Sequence, residues 1–205
     1  FLAEKYNVKI EPQAGRPQGP DGGGGGISKE RLFKLNEKAM NWFQNCLHRD
    51  PSSAVATYLR ARGLSDETVR DFRLGAAPDS WDETLKFCKA SGFGEEELVA
   101  SGLVVKNEEK GSIYDRFRNR LVFPVMDEQG RVAGFSARTV SADAKEAKYV
   151  NTPETPVFKK SRLLYGLYFA RDAMRDGRYA VLCEGQMDVI ALHRAGYKMS
   201  VAPLG

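Results

Sequence analysis

The sequence predicts an α+β amino-terminal subdomain followed by the first, incomplete part of an α/β domain, and three patterns support this prediction. Apolar residues recur at three- and four-residue steps between residues 28 and 100, which is the spacing of helices. Two runs rich in Val and Phe flank a turn at residues 127–130 and predict a β-hairpin. Residues 179–204 have the strand, helix and strand pattern of a parallel βαβ unit.

The helical region divides at capping and breaking residues into five predicted helices. They cover residues 28–50, 53–62, 65–72, 80–91 and 95–100. Pro51 ends the first helix, and Gly63 ends the second. The fourth helix is expected to begin at Ser80, because Ser80 and Glu83 have the spacing of a capping box.

Strands and two further helices account for most of the remaining chain. Strands are expected at residues 103–105, 120–126, 131–140, 179–183 and 200–204, and helices at 162–175 and 187–195. Pro124 suggests that its strand lies at an edge or ends there. The strand at 179–183 is interpreted as buried and residues 141–161 as irregular. Trp42 and Trp81 are interpreted as packed side chains.

Composition divides the chain into three parts. Residues 1–27 contain a short mixed segment and a stretch rich in Gly and Pro, so they are predicted to be the tail of a preceding module and a flexible linker. Residues 28–160 form the predicted amino-terminal subdomain. Residues 161–205 form the predicted start of the α/β domain.

Composition also excludes several classes of protein. A hydrophobic fraction of 42% is too high for a disordered chain. No run approaches the ~18 apolar residues of a membrane span. The three cysteines lie far apart and form no C-x2-C pair, which excludes a zinc ribbon within these residues and indicates a reducing compartment. We therefore expect a cytoplasmic protein with no membrane partner.

The basic residues are concentrated in one part of the chain. The net charge of the whole chain is +4, but residues 110–175 alone contain 13 Lys and Arg against 7 Asp and Glu. A localised basic surface is typical of proteins that bind phosphate-rich partners. A solvated surface without a partner is the alternative.

Glu184 directly follows the apolar strand predicted at residues 179–183. Ligands of open parallel sheets bind at the carboxyl ends of strands. Gly185 permits a sharp turn, and Asp188 lies in the first turn of the next helix. Both carboxylates are therefore expected to face one point above the sheet, where their oxygen atoms suit Mg²⁺ or Mn²⁺. The alternative is a helix cap at Asp188 and a solvated Glu184.

Three arginines, Arg116, Arg118 and Arg120, alternate along a segment predicted to be nearly extended. Their side chains would then share one face, and guanidinium groups suit phosphates. Arg138 on the returning strand of the hairpin would join that face. The alternative is ion pairing of these arginines with Asp115.

Several motifs resemble those of one family, in the same order along the chain. The segment EGQMDVIAL at residues 184–192 resembles the first motif of the Toprim fold, and more narrowly that motif in bacterial DnaG-type primases. Similar segments are YDRFRNRLVFP at 114–124, GFSAR at 134–138, KYVNTPET at 148–155, FKKSR at 158–162 and APLG at 202–205. The resemblance covers essentially the whole chain and implies an incomplete Toprim domain after residue 160.

The resemblance implies a DNA primase, which is a DNA-directed RNA polymerase of DNA replication and the primosome. Such a nucleotidyltransferase makes short RNA primers from NTPs on a single-stranded DNA template, and two divalent ions, Mg²⁺ or Mn²⁺, assist the transfer. The implied partners are the template, the RNA primer, NTPs and a replicative helicase. The zinc-binding amino-terminal domain and the helicase-binding carboxy-terminal domain of the family are expected outside these 205 residues.

The resemblance also assigns roles to individual residues. It implies that Glu184 and Asp188 are catalytic and bind metal. The residues implied to bind template or nucleotide are Arg116, Arg118, Arg120, Arg138, Lys148, Tyr149, Asn151 and Lys160. Gln186 stands where an aromatic residue is common in the family.

The family's Asp-x-Asp motif, which supplies further metal ligands, is expected beyond Gly205. We therefore expect the 205-residue chain alone to be inactive. Two alternatives stay open. One is a nucleic-acid-binding lobe without catalysis, and the other is a different Toprim enzyme such as a metal-dependent nuclease or a topoisomerase.

Overall fold

The computed structural model describes residues 26–141 and 147–204, so most of the predicted tail and linker at 1–27 lies outside the described residues. Helices α1 to α7 cover Lys29–Arg49, Ala54–Ala61, Asp66–Asp71, Glu83–Ala90, Glu95–Ser101, Leu167–Gly177 and Gln186–Arg194. Strands β1 to β9 cover Gly75–Ala77, Val104–Lys106, Ile113–Asp115, Arg120–Met126, Val132–Thr139, Tyr149–Asn151, Leu164–Tyr165, Val181–Leu182 and Ser200–Pro203. Within this part of the chain, every helix is too short or too polar to cross a bilayer.

Serine caps begin the first three helices where the sequence predicts them. Ser28, Ser53 and Ser65 each accept a hydrogen bond from a backbone N–H of the first turn at 3.2 Å. Helix α5 ends at Gly102, whose φ of 74° is left-handed and therefore suits glycine. The predictions for α1, α2, α3 and α5 are confirmed.

Helix α4 begins at Glu83, so the capping box predicted at Ser80 is wrong. Asp115 of β3 caps this helix instead, because its carboxylate accepts the N–H groups of Thr84 at 2.7 Å and Leu85 at 2.9 Å. Burial raises the pKa of Asp115, and these two hydrogen bonds oppose that rise. The cap joins residues about 30 positions apart, so local spacing does not reveal it.

The main sheet has the strand order β1–β4–β5–β6, and its pairs are antiparallel. Strands β4 and β5 form the predicted hairpin. Pro124 lies in an interior strand, so the edge interpretation is wrong, but β1 pairs only with residues 120–122 and stops before Pro124. The short strands β1 and β6 were not predicted.

Strands β2 and β3 form a separate antiparallel pair, and the third sheet has the order β7–β9–β8. Strands β8 and β9 are parallel and α7 connects them, which confirms the βαβ prediction. Strand β7 occupies residues 164–165, so helix α6 begins at Leu167 rather than at residue 162. The burial predicted for residues 179–183 is wrong: within the described part of the chain β8 pairs with β9 on one side only, and Leu182 is 70% and Tyr179 55% exposed.

One hydrophobic cluster joins the main sheet to the β7–β9–β8 sheet. It contains buried side chains of α1, α2 and α3, of β4 and β5, and of α7 and β9. Phe123 and Phe158 belong to it together with Val189, Ile190 and Ala202. The two predicted subdomains therefore share a core.

Candidate functional site

A cleft of about 490 Å³ lies between the hairpin sheet and the turn from β8 into α7. Its lining residues are Arg138, Lys148, Tyr149, Asn151, Glu184, Gly185, Gln186, Met187, Asp188 and Pro203. Six of these are residues that the sequence analysis selected from three separate segments. The fold thus brings a group of basic and aromatic residues together with two carboxylates.

The acidic wall of the cleft follows strand β8. Glu184 is exposed, and Gly185 has an extended backbone that leads into α7. Asp188 Oδ2 accepts the N–H of Gly185 at 3.1 Å, so Asp188 caps its own helix as the alternative interpretation proposed. This bond engages Oδ2, and the second carboxylate oxygen can still serve as a ligand.

The opposite wall presents Arg138 between two tyrosines. Arg138 of β5 pairs with Tyr149 of β6, and its guanidinium carbon lies 5.7 Å from the Tyr149 ring centre and 5.1 Å from that of Tyr58. The guanidinium carbon of Arg62 also lies 5.2 Å from the Tyr58 ring centre. Tyr58 and Arg62 were missed by the sequence analysis, since their four-residue helical spacing by itself indicates only a shared helix face.

Electrostatics link the two walls through Tyr149. Burial raises the pKa of Tyr149, the Arg138 guanidinium opposes that rise, and the charge of Asp188 adds to it. Both charged groups therefore lie near the same phenol ring. The Nε of Arg138 is buried and has no hydrogen-bond partner among the residues that the structure describes.

Arg120 supports the cleft without lining it. Its side chain is buried, and its Nη1 donates to the carbonyl oxygens of Ala147 at 2.9 Å and Lys148 at 3.4 Å. These carbonyls lead into β6, which carries Tyr149 and Asn151. Arg120 thus holds the segment that delivers three of the predicted residues to the cleft.

The arginines of the basic motif do not share one face, so that prediction is wrong. Asn119 has a left-handed φ of 47°, which interrupts the extended chain before β4. Arg116 Nε donates to the carbonyl of Gly102 at 2.7 Å, whereas Arg118 points to a different neighbour, Trp81. The three side chains therefore have three separate environments.

Trp81, Tyr114 and Arg118 form a separate patch, here called the Trp81 surface, in which Trp81 is exposed and the other two side chains are half-buried. Trp81 is 63% exposed, so its interpretation as a packed side chain is wrong, while Trp42 does stack on Phe87 at 4.4 Å. Arg118 lies 4.1 Å and the Tyr114 ring 5.5 Å from the Trp81 ring. A cation and two aromatic rings at the surface can stack on bases and attract phosphates.

Arg118 does not form the ion pair with the Asp115 carboxylate that the alternative interpretation proposed. Its Nη1 donates to the backbone carbonyl of Asp115 at 2.5 Å, while the carboxylate of Asp115 caps α4.

Lys160 lies in a short 3-10 helix at Lys160–Arg162 and is exposed, and its backbone N–H donates to Glu154. Lys160 does not line the cleft.

Gln186 has a contact that the sequence analysis did not predict. The residue is only 5% exposed, and its Nε2 donates to Ser136 Oγ at 3.0 Å. This hydrogen bond connects the start of α7 to β5, two residues from Arg138. The partners are 50 residues apart, so no local pattern indicates the contact.

The cleft offers part of a cation site. Among residues 26–141 and 147–204, no group of three or more His, Cys, Asp and Glu side chains is placed to hold a metal ion. Glu184 and Asp188 supply two carboxylates, which are the donors that Mg²⁺ and Mn²⁺ prefer. Mg²⁺ in proteins is commonly held by one or two carboxylates together with water and substrate phosphates, so this donor set fits such an ion.

Comparison with known proteins gives one consistent family. A profile for the DNA primase catalytic core, N-terminal domain, matches residues 42–171. The DNA primase of Deinococcus radiodurans is 42% identical over 204 residues, which is all of this chain and 33% of that protein. The chain spans about a third or less of the length of such curated relatives.

Solved structures agree with this comparison. The RNA polymerase domain of Mycobacterium tuberculosis primase DnaG, in complex with a double-stranded DNA oligomer that has a 6-nucleotide overhang, matches with a TM-score of 0.81 at 38% identity. The match covers 87% of this chain and 55% of that one. A DnaG primase catalytic domain bound to ssDNA matches with a TM-score of 0.73 at 38% identity, over 85% of this chain and 53% of that one.

Proposed function

The chain belongs to the DnaG-type DNA primase family, and on that basis we propose that it supplies the cleft in which a primase joins nucleotides on a template. Its sequence corresponds to part of the primase catalytic core. The observation that carries the proposal is the cleft itself, in which Glu184 and Asp188 face Arg138, Lys148 and Tyr149. The proposed product is a short RNA primer made from NTPs on single-stranded DNA.

We propose that residues 28–160 form the amino-terminal subdomain of the core and residues 161–205 the beginning of a Toprim domain. The parallel pair β8–β9, joined by α7, supports this assignment. The position of Glu184 directly after β8 supports it as well, because sheets of this kind bind ligands at the carboxyl ends of their strands.

The acidic wall has the chemistry of a cation site for nucleotidyl transfer. Glu184 and Asp188 would hold Mg²⁺ or Mn²⁺, one or two ions in all, with the phosphates of the bound NTP completing the coordination. A bound cation supplies charge neutralisation on the phosphate oxygens and lowers the pKa of the primer 3′ hydroxyl. Glu184, which is exposed at the cleft, would also accept the hydroxyl proton.

The cationic wall has the chemistry of a triphosphate site. Arg138 carries several N–H donors in a planar fork, and the rings of Tyr58 and Tyr149 restrict its orientation. Lys148 adds a second positive charge on the same wall, and Asn151 adds an amide. Arg62, beside Tyr58, extends this positive surface.

We propose that the template passes over the Trp81 surface and the basic segment around it. Arg116, Arg118 and Lys160 would contact the template backbone outside the cleft, and Arg120 would act by supporting Lys148.

The family also leads us to propose a zinc-binding domain, a helicase-binding domain and a cytoplasmic location for the whole gene product. We further propose that the 205 residues alone make no primers, since two carboxylates are few for a two-ion site.

The test is primer synthesis by the full-length gene product with Glu184→Gln. The substitution keeps the size of the side chain and removes its charge, so kcat should fall on the order of 100-fold or more, since even indirect ligand partners commonly cost 10–100-fold. Glu37→Gln, at an exposed position of α1, is the matched control and should leave synthesis unchanged. Full activity of Glu184→Gln would contradict the proposal.

A binding assay separates primase from a lobe that only binds nucleic acid. If the wild-type product binds single-stranded DNA with strong salt dependence and makes no primer under any divalent ion, the binding lobe replaces the primase proposal. Cleavage of DNA without synthesis would favour a nuclease instead.

A further inference from the structure

We propose that Gln186 is a positioning residue that sets the gap between the two walls of the cleft. It occupies the first position of α7, between Glu184 and Asp188, and it is almost fully buried. Its side-chain amide donates to Ser136 Oγ at 3.0 Å. The inference rests on the proposed function of the cleft and names a residue that acts through others.

The argument begins with how each wall is held internally. Glu184 and Asp188 belong to one short segment, and the hydrogen bond from the Gly185 N–H to Asp188 stabilises the turn between them. Arg138 is held by its strand pairing with Tyr149 and by the Tyr58 ring. Neither set of contacts specifies how far the carboxylates lie from the guanidinium. The shared hydrophobic cluster packs α7 against the hairpin sheet, but hydrophobic packing is not directional.

The hydrogen bond from Gln186 to Ser136 does join the two walls. Ser136 is fully buried on β5 and pairs with Asn151, two residues before Arg138. A hydrogen bond between two buried side chains has a narrow range of lengths and angles. Leaving either partner unpaired in the interior is costly, so the structure holds this separation closely.

Loss of this hydrogen bond should affect the free ion and the ion–nucleotide complex differently. An ion that binds the acidic wall alone needs only the geometry within residues 184–188. A nucleoside triphosphate that binds with its ion needs both walls at once. Loss of the Gln186–Ser136 bond should therefore weaken binding of the ion–nucleotide complex and spare binding of the free ion.

The experiment compares Gln186→Met, Ser136→Ala and the double variant in the full-length gene product. Two affinities are titrated for each protein: that of Mn²⁺ alone, and that of ATP in saturating Mn²⁺. Each single variant should bind ATP about tenfold more weakly, within the range known for indirect ligand partners, and bind Mn²⁺ within about twofold of wild type. The double variant should be no worse than either single variant, because both remove the same bond.

Ser65→Ala is the matched control for a simple loss of stability. It removes the cap of α3, away from the cleft lining, and should lower the melting temperature without changing either affinity. Equal losses of Mn²⁺ and ATP affinity, additive losses in the double variant, or unchanged ATP affinity would each overturn the proposal. Ser136→Ala, a minimal truncation, carries the test if Gln186→Met does not fold.

These affinities can be measured without primer synthesis. If the variants lose ATP affinity and keep Mn²⁺ affinity while the wild-type protein makes no primer, the proposed function is refuted and the role of Gln186 stands. If the wild-type protein makes primers and the variants bind ATP as it does, the role of Gln186 is refuted and the proposed function stands.

Discussion

At the scale of single residues, the Trp81 surface gives a prediction about template binding. In the full-length gene product, Trp81→Ala should weaken binding of single-stranded DNA by about 1–3 kcal/mol, because a stacked base is lost, and leave the salt dependence unchanged. Arg118→Ala should weaken binding and also reduce the slope of log affinity against log salt by about one. Fluorescence anisotropy of a labelled oligonucleotide at several salt concentrations measures both quantities.

Tyr197→Ala serves as the control for that experiment, since Tyr197 is a comparably exposed aromatic residue that follows helix α7 in the chain. It should leave affinity and slope as they are in the wild type. If Trp81→Ala binds DNA as tightly as the wild type, the template does not cross this surface.

It was easier to predict which residues contribute to the site than to predict which residues they contact. Glu184 and Asp188 follow a short apolar strand, and that local signal was enough to predict a pair of carboxylates at the sheet edge. Ser136 and Gln186 meet across 50 residues of sequence, and nothing in either neighbourhood indicates the meeting. The arginine motif misled because one left-handed residue, Asn119, breaks the alternation on which the prediction depends.

At the scale of helices and strands, an ion pair between α1 and α5 makes stability depend on pH. The Arg31 guanidinium, followed by the Gly94 N–H, lowers the pKa of Glu97. Stabilisation by such a carboxylate is present above the pKa of the unfolded chain and is lost as the pH falls through the lower pKa of the folded state. Glu97→Gln should therefore reduce the free energy of unfolding at neutral pH, and this deficit should shrink below pH of about 4.3, the ordinary Glu value.

Urea unfolding at a series of pH values measures this deficit. Glu96→Gln, at the exposed neighbouring position, should show no such pH-dependent difference from the wild type. A deficit for Glu97→Gln that stays constant down to pH of about 2 would mean that the charge of Glu97 does not stabilise the fold.

Elements were predictable where their signals are local. Helices were predicted to start at residues 28, 53 and 65, and Ser28, Ser53 and Ser65 do cap the helices that begin directly after them. Strands β1 and β7 have three and two residues, too few for any period to show in the sequence. Helix α4 is capped by Asp115, which lies about 30 residues away in sequence and meets the helix only in the folded chain.

At the scale of the whole molecule, the shared hydrophobic cluster predicts that the main sheet and the β7–β9–β8 sheet unfold together. Phe158 is fully buried in that cluster, and Phe158→Ala should cost about 3–5 kcal/mol of unfolding free energy. Hydrogen exchange should report the same loss for amides of β4 and of α7. Phe93 belongs to a second hydrophobic cluster, which includes Cys88 of α4 and Leu98 of α5 and none of the described residues of α7. Phe93→Ala should therefore reduce protection around α4 and α5. Loss of protection in β4 with α7 unaffected would contradict the prediction.

The shared cluster also limits how such a protein can be rearranged during evolution or by design. Val189, Ile190 and Ala202 belong to one cluster with side chains of the first 160 residues, among them Phe123 and Phe158. An exchange of the carboxy-terminal segment between two relatives would therefore transplant one half of a matched packing surface. Chimeras that join at residue 160 should fold only when the core side chains that contact the new segment come from the same relative. The two segments are therefore separate in topology, but their core residues must change together.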